Sequence, residues 1–154
     1  MKTKTLYLLD AHALCYRSFY AVKGLINSKG QPTNAVFGFV NTLRKMMKDF
    51  SPEYFAVCFD KDGKGFRQER YADYKIQRPP MPDDLRSQMG LIRSVVDGYR
   101  LGVMEITGYE ADDLIAYCCQ NMDGSKIIVS GDRDLVQLVD DQTHLYYMPK
   151  KVLV

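Results

Sequence analysis

Histidine is scarce in this chain. His12 and His144 are its only two, far apart and without the spacing of a zinc site. The four cysteines, Cys15, Cys58, Cys118 and Cys119, include two neighbours and no C-x-x-C pair. They read as reduced thiols, most of them filling a core, in a cytoplasmic protein. No apolar run approaches the ~20 residues needed to cross a bilayer, so no membrane partner is expected. The N-terminal stretch "MKTKTLYLLDAHA" holds one short apolar run that ends in an aspartate, without the h-region and cleavage site of a signal peptide. There is no internal repeat and no low-complexity tract. A net charge of +2 supplies no global field, so any partner has to be read from where the charges lie.

What is present is an ordinary globular composition, 46% hydrophobic and 26% charged over 154 residues, enough for one domain with a real core. Apolar runs alternate with helical periodicity. "KTLYLLD" (4–10) and "YFAVCFD" (54–60) read as buried strands, as do "LGVMEI" (101–106), "KIIVS" (126–130) and "HLYYM" (144–148). Between them, 33–50 places Val36, Phe39, Val40, Leu43, Met46, Met47 and Phe50 on one helical stripe, and 82–98 does the same with Leu85, Met89, Ile92, Val95 and Val96. A helix is expected from about 109 to 122 and a short one from 132. Strands alternating with helices predict an α/β fold with a mostly parallel sheet and flanking helices.

The acidic residues fall at particular places in this pattern. The first strand ends in Asp10 and the second in Asp60; "GYEADDLIA" follows the third with Glu110, Asp112 and Asp113; "SGDRD" follows the fourth with Asp132 and Asp134. Carboxyl ends of parallel strands share one edge, where ligands bind, so these seven carboxylates are expected to converge. Glu110 and Asp113 share a helical face, with Asp112 to one side. A plainer reading exists for two of the clusters: Thr107 and Glu110 fit a T-x-x-E capping box, and aspartates in a first turn suit the helix dipole. That reading leaves Asp10 and Asp60 unexplained. So many carboxylates cannot all stay ionised in one cleft without divalent cations. Oxygen donors without a supporting histidine or cysteine favour Mg²⁺ or Mn²⁺ over zinc; His12 lies close enough to Asp10 to reach the cleft, but a surface or core role is the one expected of it.

Such clefts most often handle phosphates, and residues 61–78, "KDGKGFRQERYADYKIQR", carry six basic residues against three acidic ones, with Phe66, Tyr71 and Tyr74 interleaved. Positive charge follows a phosphate backbone and aromatic faces stack bases. The segment leaves directly from Asp60, so a mobile basic arm over the acidic edge is expected across about 61–80.

"LLDAHALCYRSFYA", "TNAVFGF", "FDKDGKGFRQERYADYKIQR", "GYEADDLIA" and "SGDRDLVQL" resemble, in order and spacing, the 5′ nuclease domain of bacterial DNA polymerase I and its flap-endonuclease relatives. The resemblance covers nearly the whole chain. It implies a PIN-like (Rossmann-like) fold with a basic helical arch, and metal-dependent cleavage of DNA bearing a free 5′ end or flap. By that resemblance Asp10, Asp60, Glu110, Asp112, Asp113, Asp132 and Asp134 match metal-site carboxylates. Lys75 and Arg78 match the basic residues at the scissile phosphate, Tyr74 an aromatic that stacks on the base at the cut, and Arg17 and Arg67 further substrate contacts. Arg70 is expected to add only backbone attraction. Two Mg²⁺ or Mn²⁺ ions are implied for the complete domain; no small-molecule cofactor and a monomer are expected.

The family continues into a helix–hairpin–helix region opened by a motif G-D-x-S-D-N-x-P-G, whose aspartates complete the second metal site. Residues 1–154 end at "MPKKVLV" without it, and are therefore expected to be the N-terminal core alone. Two rival readings remain: a PIN-type ribonuclease of about this length, which leaves the basic segment unexplained, and a DNA-binding module without turnover.

Overall fold

A computed structural model of the chain describes residues 4–61, 63 and 79–154. The chain runs through β1 (Thr5–Asp10), α1 (Ala11–Ala21), α2 (Asn34–Phe50), β2 (Tyr54–Cys58), α3 (Asp83–Arg86), α4 (Met89–Gly98), β3 (Gly102–Met104), α5 (Ala111–Asn121), β4 (Ser125–Ser130), a 3₁₀ helix (Arg133–Leu138), β5 (Thr143–Tyr147) and β6 (Val152–Leu153). The six strands form one sheet in the order β3-β2-β1-β4-β5-β6. The first five are parallel, and the short β6 pairs antiparallel with β5.

Strand alternation divides the core between the two faces. Tyr7, Leu9, Val57 and Val129 meet α1, α2 and α4 through Leu14, Phe39, Leu43, Ile92 and Val96. Leu8, Cys58, Ile128 and Leu145 meet α5 and the 3₁₀ helix through Leu114, Ile115, Cys118 and Leu135. Each fully buried Leu, Ile or Phe contributes roughly 1.5–3 kcal/mol.

The elements depart from the sequence expectation in four places. Helix α1 has apolar or aromatic residues on most of its faces, so no stripe marks it out: Ala11, Leu14 and Cys15 are buried while Tyr20 is 60% exposed. The helix expected over 82–98 is broken at Ser87–Gln88. The third strand keeps only Gly102–Met104. Strand β6 is two exposed residues with no period to read.

Topology places the site. From β1 the chain builds outward through β2 and β3, then returns to the other side of β1 for β4. The strand order therefore reverses between β1 and β4, and a crevice opens there at the strands' carboxyl ends. Leu9 pairs with Val129, bringing Asp10 beside Ser130, while Asp10 itself pairs with Cys58, two residues before Asp60.

Candidate metal centre

Asp10 closes β1 and is the N-cap of α1, accepting from the Ala13 N–H at 3.2 Å. Its other oxygen accepts from the Ser130 hydroxyl at 2.9 Å, and Ser130 Oγ in turn accepts from the Asp132 N–H at 3.0 Å. One buried hydroxyl thus joins the ends of β1 and β4. Burial pushes the Asp10 carboxyl above the ordinary carboxylate range and Asp60 adds to this, against the hydrogen bonds from Ala13 and Ser130 and the proximity of His12.

Asp60 follows β2 and accepts from the Ala111 N–H at 2.6 Å. A backbone clasp sets its distance from the next carboxylates: Lys61 N–H donates to the Tyr109 carbonyl at 3.2 Å, and Gly108 N–H to the Lys61 carbonyl at 3.1 Å. Gly108 takes φ +83° in the turn that Tyr109 N–H closes onto the Ile106 carbonyl at 3.0 Å, a conformation suited to glycine. That turn delays the helix, which alters the expected cap. Glu110 is the N-cap of α5 and Asp113 its third residue, and these two form the capping box, Glu110 N–H donating to Asp113 Oδ2 at 2.9 Å. Thr107 lies outside the helix and is exposed.

One carboxylate oxygen each from Glu110, Asp112 and Asp113 lies within 4.8 Å of the others, so Asp112 is not turned aside. Asp132 is the N-cap of the 3₁₀ helix and accepts from the Asp134 N–H at 2.9 Å. Asp10, Asp60, Glu110, Asp112, Asp132 and Asp134 line one open cleft of about 440 Å³. Asp113, the seventh, serves the cap of α5 and is not among the lining residues.

Three further residues belong to this edge. His12 and Tyr16 line the cleft from α1, with ring centroids 5.8 Å apart, and Ser130 lies beneath it. His12 is not the surface or core residue expected: the N-cap at Asp10 starts α1 at once and turns its first residues over the sheet edge. His12 and Tyr16 are one helical turn apart, and that spacing was the signal available for both once a helix after Asp10 was recognised. Burial, with Tyr20 and Asp60 adding to it, raises the Tyr16 phenol and keeps it a neutral hydroxyl.

Arg17 stands elsewhere. It is exposed and lines a separate groove with Asn41, Lys45, Asp49 and Lys151. Arg67, Arg70, Tyr74, Lys75 and Arg78, and the arm expected across about 61–80 apart from its described residues 61, 63, 79 and 80, lie outside the described residues. At the foot of that segment, Lys61 reaches Glu105 at 3.5 Å, and Glu105 is also held by Arg93, whose guanidinium lies 4.3 Å from the Phe59 ring centre.

The six carboxylates suit hard divalent ions, one imidazole stands beside them, and no thiolate competes among the described residues. Cys15, behind Asp10, is pushed up to about 12 by burial first and by Asp10 second, so it remains a thiol.

The family model described as "5′-3′ exonuclease, N-terminal resolvase-like domain" matches residues 5–154. A 5′-3′ exonuclease of Aquifex aeolicus (strain VF5) is 45% identical over 141 residues, covering 90% of this chain and 49% of that protein. DNA polymerase I of Bacillus subtilis (strain 168) is 41% identical over 143 residues, covering 91% of this chain and 16% of the polymerase. The chain therefore spans about half the length of the first relative and about a sixth of the second. Among solved structures, T5 5′-exonuclease with bound zinc superposes with a TM-score of 0.72 at 21% identity, covering 98% of this chain and 58% of that one. A pseudo-enzyme–product complex of the T5 D15 flap endonuclease with DNA and metal ions gives 0.68 at 22% identity, over 97% and 57%. These likenesses show a PIN-like fold.

Proposed function

Because the chain belongs to the 5′-3′ exonuclease family, as its N-terminal resolvase-like domain, we propose that it is the core of a metal-dependent 5′ nuclease acting on DNA with a free 5′ end or flap. The observation that carries this reading is the convergence of six carboxylates from four strand ends at the switch point of a parallel sheet. Asp10, Asp60, Glu110, Asp112, Asp132 and Asp134 would hold Mg²⁺ or Mn²⁺. When bound, such ions polarise a phosphodiester and ease attack by water and departure of the leaving oxygen.

The chain's own residues do the rest. Ser130, Ala13 N–H and Ala111 N–H orient the carboxylates, and Tyr16 offers a ring and a hydroxyl at the cleft wall. From the sequence resemblance, Lys75 and Arg78 offset charge developing on the phosphoryl oxygens, and Tyr74 stacks on the base that must unstack to reach the cut. Arg17, Arg67 and Arg70 then follow the backbone at a distance from the reacting atoms. Action on DNA in the cytoplasm, as a monomer and without a small-molecule cofactor, completes the reading.

The test is single-turnover cleavage of a 5′-flap DNA by this chain, alone and joined to the C-terminal region of the Aquifex relative. Mg²⁺-dependent cutting near the flap junction, abolished by Asp60→Asn, is expected. Cutting that ignores metal, or that prefers an RNA hairpin to flap DNA, overturns the proposal; the second result restores a PIN-type ribonuclease.

A further inference from the structure

His12 lines the same cleft as the six carboxylates. It comes two residues after Asp10, its side chain is 29% exposed, and Nε2 lies 3.7 Å from Asp60 Oδ2. That separation is too long for a hydrogen bond. It is within the span of two donors on one ion, since bonds of ~2.0–2.2 Å leave two ligand atoms no more than roughly 4.4 Å apart. The other ring nitrogen, Nδ1, is buried and has no hydrogen-bond partner among the described residues. Packing against Tyr16 sets the ring's position, and among the described residues no hydrogen bond commits Nε2 to the protein.

The geometry points to His12 as a nitrogen ligand for a divalent ion held by Asp60, an inference that rests on the metal-centre reading above. The consequence is selectivity. Mg²⁺ prefers oxygen donors and gives up its waters reluctantly, whereas the later transition ions, Co²⁺ and Zn²⁺ among them, accept imidazole readily. An imidazole beside Asp60 therefore strengthens binding of Co²⁺ or Zn²⁺ most and leaves Mg²⁺ nearly unaffected. The six carboxylates set whether the cleft binds cations; His12 sets which it binds best.

The test uses this chain with Mn²⁺ as the spectroscopic probe and Co²⁺ as the affinity probe. Electron spin-echo spectra of the Mn²⁺-loaded chain should show the nitrogen modulation of a coordinated imidazole, and His12→Ser should lose it. His12→Ser should also weaken Co²⁺ binding by about tenfold or more, while Mg²⁺ binding, read by competition, changes by less than about twofold. Bound Mn²⁺ without nitrogen modulation, or modulation that persists in His12→Ser, overturns the inference and leaves the metal centre standing. If no Mn²⁺ binds to the wild-type chain, the metal-centre reading falls and takes this inference with it. Circular dichroism of metal-free His12→Ser checks its fold, and if that variant misfolds the wild-type spectrum decides alone.

Discussion

At the scale of single residues, Ser130 and Asp10 form the centre of the edge. Ser130 is fully buried, and its hydroxyl donates to Asp10 while accepting from Asp132 N–H. Ser130→Ala leaves a buried carboxylate oxygen and a backbone N–H short of a partner, at about 1–3 kcal/mol for an unmade buried bond. Loss of an orienting group typically weakens a metal site by about tenfold or more. Urea unfolding and Mn²⁺ titration of Ser130→Ala should show both effects; an unchanged Mn²⁺ affinity would confine Ser130 to stability. Asp10 predicts the opposite sign. Burial disfavours its charged form, so the ionised carboxylate destabilises the metal-free fold. Asp10→Asn keeps an oxygen for Ala13 N–H and removes the charge, and should melt higher than wild type without divalent ions. With Mn²⁺ the order should reverse, because the ion stabilises the carboxylate and gains less from the amide. A variant that melts lower in both conditions refutes this account. The carboxylates were legible because each closes or follows an apolar strand. Ser130 was not, since a serine at a strand end has no signature until register sets it against Asp10.

At the scale of elements, the sequence was most informative where a period ran uninterrupted. Helix α2 follows its apolar stripe to Phe50, and β1, β2 and β4 follow their apolar runs. It was least informative where long-range bonds decide an end. The N-terminus of α2 has no side-chain cap from Thr33. Gln88, from the break between α3 and α4, caps it instead: Oε1 accepts from Ala35 and Val36 N–H at 2.8 and 3.1 Å. Gln88 Nε2 donates to Asn34 Oδ1 at 2.8 Å and to the Asp84 carbonyl at 2.9 Å. Asn34 then donates to the Phe19 and Val22 carbonyls, both at 2.8 Å, at the end of α1. A cap that reaches across more than fifty positions has no local pattern, so the break at Gln88 could not be read in advance. Gln88 and Asn34 together therefore hold α1, α2 and α3 in register. Gln88→Ala should cost on the order of 3 kcal/mol, the sum expected when several buried donors and acceptors lose their partner together. Urea unfolding gives the number; a loss below about 1 kcal/mol would mean that water or a local shift satisfies these groups.

At the scale of the molecule, charge is segregated rather than absent. Six carboxylates line one edge, and residues 61–78 carry a net +3 (six basic minus three acidic), leaving −1 for all other residues of a chain whose total is +2. Net charge alone therefore conceals both poles, and only the placement of aspartates at strand ends revealed the acidic one. Repulsion concentrated at one edge is a cost that monovalent salt can screen but not remove, since a Debye length of ~10 Å at 0.1 M exceeds the separation of neighbouring carboxylates there. Glu110 and Asp112 of that edge form, with Asp113 of the helix cap, a group whose ligand oxygens lie within 4.8 Å of one another. A divalent ion bound among the carboxylates acts at contact distance and only on the folded state, so it should stabilise the chain far beyond its ionic strength. At a hundred times its dissociation constant a single ion contributes ~2.7 kcal/mol, which raises the midpoint by roughly 5–10 °C for a chain of this size. The variants that test this must spare the helix cap. Asp113 is unsuitable because it accepts from Glu110 N–H, whereas Asp60→Asn keeps an oxygen for Ala111 N–H. Melting of the wild type and of Asp60→Asn with Asp112→Asn, in Mn²⁺ and in NaCl of matched ionic strength, should give a large Mn²⁺ shift in the first and little in the second. A wild-type shift no greater than that in NaCl, or one that survives both substitutions, would mean that the edge is screened as a diffuse surface and holds no ion.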